Sequence, residues 1–145
     1  MTKEVYDKSV DVLLDAYNKE ELFHGDCNAC AVGNLMGNSD KWKFITGVTD
    51  RVGNIWTPED WCNEAESGRL LISDSGLGVT ELSDIEHAFE MSISNDRSYY
   101  TDKGEKKGQY LGLVAVLDVM KDMVETEVEH EENIEKLETI YATFQ

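Results

Sequence analysis

A mainly α fold with a small β element (α+β), five to six helices around one core, is predicted for the chain by three observations. Apolar residues recur at three- and four-residue spacing in several separate stretches, the signature of helices with one buried face. Helix-start chemistry stands ahead of several of those stretches. Polar and apolar residues alternate only briefly, so any hairpin or sheet is short. No repeat or linker divides the sequence, so residues 1–145 are read as one domain.

From Lys3 to about Leu22, Tyr6, Val10, Leu13, Leu14 and Tyr17 share one helix face, with charged residues opposite. His24-Gly25 ends that helix in this reading. Asp26 can then accept hydrogen bonds from the open amides of a second helix, Cys27 to about Met36, whose small Cys30, Ala31 and Gly33 suit close packing. The alternation from Lys41 to Thr46, followed by Val52 to Trp56, reads as a short hairpin. Thr57-Pro58-Glu59-Asp60 starts a helix that carries Trp61 and Cys62 to about Gly68. Thr is its cap, Pro stands where a missing N–H costs nothing, and the acids face the positive end of the dipole.

Arg69 to Ser73 reads as a short strand before the glycine-rich turn at Ser75 to Gly78. Thr80 is the expected cap of a helix to about Ile93, with Leu82, Ile85, Phe89 and Ile93 inward. Asn95 to Gly108 reads as an exposed, mobile loop. A core helix is expected from Gln109 to Val124 through Leu111, Val114, Val116, Leu117, Met120 and Val124. In the last segment, Thr126 to Phe144, Thr126 and Glu129 have capping-box spacing, and Ile134, Leu137, Tyr141 and Phe144 form the docking stripe.

Acidic residues number 30 against 13 basic, a formal charge of −17. Six Tyr, four Phe and three Trp set the chain apart from acidic disordered tails, which lack the apolar surface to offset chain entropy. Direct nucleic-acid binding is disfavoured, because that affinity comes from Lys and Arg displacing counterions. Anionic membranes are disfavoured on the same ground, and the apolar run from Tyr110 to Leu117 is far short of the ~20 residues a spanning helix needs. With no signal-peptide pattern at the start, the expected location is cytoplasmic.

The charge is concentrated. Asp118, Asp122, Glu125, Glu127, Glu129, Glu131, Glu132, Glu135 and Glu138 stand against Lys121 and Lys136, a local net of −7. These nine are the candidate partner-binding residues. Their expected counterpart is a basic protein surface, since such charge speeds encounter with a cationic patch. The alternative is that they only keep a helical domain soluble. Asp118, placed in an otherwise apolar helix, is expected to need a partner such as Arg69, Arg97 or a buried amide, read as a structural ion pair with a functional acid as the alternative.

His24, Cys27 and Cys30 lie at three-residue intervals, and Cys62 would complete a His-Cys₃ set for structural zinc if the fold brought it near. The second ligand pair usual in such sites is missing. In the competing reading the cysteines are small buried apolar side chains. A third makes Cys27, at a helix start that lowers a thiol's pKa, the nucleophile of a hydrolase or transferase. That chemistry needs a histidine partner, and His87 and His130 both fall in expected helices rather than strands. His87 reads as a partly buried helix residue. Arg97, Tyr99, Tyr100, Lys103, Lys106 and Lys107 form a locally basic, aromatic patch that could meet an anion. Asp74 to Glu81 lacks the ligand spacing of a calcium loop and is read as a turn.

Asp26 to Leu35, Ser92 to Asp96 and Gly112 to Asp118 resemble stretches of small hypothetical proteins encoded by phages of Bacteroidetes hosts. The resemblance implies a phage product in a reducing cytoplasm, acting on a host factor, and brings no catalytic residue with it. The resulting expectation is a non-enzymatic acidic binding protein that engages a host nucleic-acid-handling or defence protein.

Overall fold

The structure, a computed structural model, describes residues 1–23, 30–37, 73–92 and 102–145, with backbone alone at 102–104. Five helices order these residues: α1 Lys3–Asn18, α2 Ala31–Leu35, α3 Val79–Met91, α4 Asp102–Met123 and α5 His130–Thr143. A further helical turn covers 73–75, and no strand occurs among the described residues. The expected hairpin at 41–46 and 52–56 and the expected helix at 57–68 lie outside them. Ser73, placed at the end of a short strand by the sequence, is helical.

α1 starts where Thr2 caps it, its Oγ1 accepting from the Val5 N–H at 3.2 Å. Tyr6, Val10, Leu13, Leu14 and Tyr17 are all buried, as their spacing predicts. The helix ends four residues before the expected stop at Leu22. Glu20 takes a left-handed conformation (φ 60), the Glu21 N–H donates to the Ala16 carbonyl at 2.8 Å, and the Glu20 N–H donates to that of Tyr17 at 3.2 Å. This pair of bonds satisfies the last carbonyls of the helix and turns Leu22 into the core. α2 is shorter than expected because Cys30 is its cap rather than part of its face: its Sγ accepts from the Gly33 N–H at 3.4 Å.

α3 begins at Gly78, not Thr80. The Glu81 side chain reaches back to accept from the Gly78 N–H at 2.9 Å, so the cap depends on the acid three positions inside the helix. Glu81 also pairs with the α-amino group of Met1 at 3.0 Å, and that amine donates to the Met123 carbonyl at 3.1 Å. Just ahead, Gly76 has φ +78, and a Cβ there would sit 2.8 Å from Val5 Cγ2. Both the turn and the approach of α1 therefore require glycine.

α4 corrects the largest misreading. Residues 102–108, expected as loop, are its first two turns, and the whole helix is about 33 Å long at 1.5 Å per residue. Gly104 and Gly108 suggest a break locally, yet Gly108 and Gln109 are buried, so packing overrides propensity. α4 packs against α3, α5 and α1, while α1 also meets α2 and α5. Leu113, Val116, Leu117, Met120 and Val124 are in the core, but Leu111 is exposed. α5 starts at His130 with Glu129 as a cap that makes no side-chain bond, so Thr126 forms no capping box. Leu137 is buried, with Ile134, Tyr141 and Phe144 packed at the core edge. Asn133, also buried, donates from Nδ2 to Tyr6 Oη at 3.1 Å. No helix among the described residues is long and apolar enough to cross a membrane.

Candidate functional site

The corner where α4 ends and α5 begins gathers the acidic residues singled out by the sequence. Asp118 and Asp122 stand on the outer face of α4. Glu125, Glu127 and Glu129 lie on the non-helical connection, and Glu131, Glu132, Glu135 and Glu138 on α5. All nine are exposed. Two of them have a basic side chain in reach among the described residues: Asp118 meets His130, and Glu129 Oε2 lies 3.5 Å from Lys3 Nζ. Lys121 and Lys136 are exposed and form no ion pair among the described residues, so they leave the neighbouring carboxylates unneutralised.

Asp118 is not the buried acid the sequence suggested. Its side chain is 59% exposed, and its partner among the described residues is His130; the expected partners Arg69 and Arg97 lie outside them. The His130 Nε2–H donates to Asp118 Oδ1 at 3.0 Å and closes the corner. Its Nδ1 is buried and has no hydrogen-bond partner among the described residues.

An open hollow of about 530 Å³ lies in the corner, with Lys121, Glu127, Glu129, His130, Glu131 and Glu132 on its walls. From its rim Glu131, Glu135 and Glu138 run along α5 at four- and three-residue spacing, a continuous ridge. Tyr141, one turn beyond Glu138, stacks on Tyr110 of α4 with ring centroids 4.5 Å apart and planes 14° off parallel. Burial, then the charge of Glu138 and the neighbouring Tyr141, hold the Tyr110 hydroxyl above its ordinary pKa. The arrangement offers cationic groups a row of carboxylates and an aromatic end-stop.

The other sequence candidates fare differently. Of the proposed zinc ligands, His24, Cys27 and Cys62 lie outside the described residues, and so does the nucleophile reading of Cys27. Cys30 is buried at the cap of α2. Among the described residues no group of three His, Cys, Asp or Glu side chains is placed to hold a metal ion. His87 is exposed rather than partly buried. In the expected basic patch Lys106 is turned inward: its side chain is 15% exposed, its Nζ sits 2.8 Å from Glu20 Oε1 and 4.7 Å above the Phe144 ring, and its carbonyl accepts from Tyr17 Oη at 2.9 Å. That lysine is committed to packing.

Sequence reading also missed Glu86 on α3, whose carboxyl is pushed up to about 7 by burial and then by the charge of Glu90. Its signal was present: Glu86 lies four residues after Leu82 and three before Phe89, beside the buried stripe. The Tyr110–Tyr141 stack carried no such signal, because the pairing of α4 with α5 is a long-range event. No protein-family model, curated protein or solved structure matches this chain, so the chemistry of the site carries the functional reading.

Proposed function

We propose that the chain is an acidic, non-enzymatic binding protein whose α4–α5 corner docks a basic surface of a partner protein. The observation that carries the reading is the exposure of all nine carboxylates, seven of which have no ion pair among the described residues. Carboxylates kept for packing are paired or capping, as Glu81 and Glu20 are. Carboxylates that only solubilise a domain gain nothing from being gathered at one corner, where like charges repel. The resemblance to phage proteins makes a basic protein of a host cytoplasm the partner to seek.

The test uses an arginine-rich peptide and the full chain. Binding is expected to weaken as salt shortens the Debye length from about 30 Å at 0.01 M to about 8 Å at 0.15 M. Changing Glu131, Glu135 and Glu138 together to Gln is expected to weaken it about tenfold, at about 0.5 kcal/mol per exposed charge. Equal binding by wild type and triple variant, or binding indifferent to salt, rules the ridge out as the docking surface.

A further inference from the structure

We draw no further inference here: the strongest candidate, the hollow between the end of α4 and the start of α5 where His130 meets Asp118, is walled by the acidic cluster already assigned to partner docking, and nothing else in the structure marks a ligand there.

Discussion

The two ends of α4 treat charge in opposite ways. Near its start, Lys106 is folded under: Glu20 neutralises it, Phe144 lies beneath its ammonium and Tyr17 holds its carbonyl. Near its end, Asp118 and Asp122 point into solvent beside seven further acids, and Asp118 meets a histidine. One helix thus has a charged end built into the core margin and a charged end left open. Charge and stability are coupled at the first end and separable at the second.

The sharpest way to break this contrast is at Tyr17. The ring is fully buried and meets Phe144 edge-on at 5.3 Å. Tyr17→Ala is expected to cost about 3–5 kcal/mol in denaturant unfolding, as for other large aromatic truncations. A cost below about 1 kcal/mol would show that the α1–α4 junction is not packed as described.

Gln109 gives the next effect, with opposite sign. It is 0% exposed, and neither its amide oxygen nor its nitrogen has a hydrogen-bond partner among the described residues. Gln109→Leu removes two buried polar atoms at similar volume and should stabilise the protein by about 1–3 kcal/mol. A loss of stability would mean that a buried water satisfies the amide in solution.

Glu86 is a third kind of carboxylate, with no ion pair among the described residues and not fully solvated. Its folded form keeps a proton up to about 7, whereas the unfolded chain releases it near 4.5. Between those values the folded state binds more protons, so the contribution is full below the unfolded value and is lost as pH rises through about 7. After allowance for solvent screening, a decline of about 1–2 kcal/mol is expected over that window, and Glu86→Gln should flatten it. An unchanged pH profile in the variant would assign the decline to other groups.

The smallest effect belongs to the ridge. The Glu131, Glu135 and Glu138 triple Gln variant should unfold within about 0.5 kcal/mol of wild type, since exposed positions away from caps and pairs rarely matter more. Thermal melts of the same preparations used for peptide binding provide the check. A large stability change would bind function and folding together at this end too.

The inward faces were legible from spacing alone: Tyr6, Val10, Leu13 and Tyr17 on α1, and Leu82, Ile85 and Phe89 on α3, sit where periodicity puts them. Helix ends were less so. Glu20 stops α1 in a conformation usually given to glycine, and Gly78 caps α3 through a borrowed side chain while Thr80, the better intrinsic cap, stays inside the helix. Each choice depends on contacts made far along the chain, such as Glu20 with Lys106 and Glu81 with Met1. The first turns of α4 were obscured by Gly104 and Gly108 for the same reason. Of the candidate site, the nine carboxylates were legible from composition, and the exposure of all but Asp118 follows because charged side chains stay in water; Asp118 was obscured by the apolar stretch around it. The Asp118–His130 contact and the Tyr110–Tyr141 stack do not, because each joins two helices whose pairing no local pattern encodes.

The bond from Asn133 to Tyr6 sets the azimuth of α5. Neighbouring residues on a helix differ by about 100° in direction, so a slip of one position would turn either Glu132 or Ile134 toward the Tyr6 hydroxyl. The first would bury a carboxylate; the second would leave the phenol without its amide partner. A single amide thus works as a rotational index. It rejects the neighbouring settings of α5 and fixes the compass bearing of Glu131, Glu135 and Glu138 relative to the rest of the molecule.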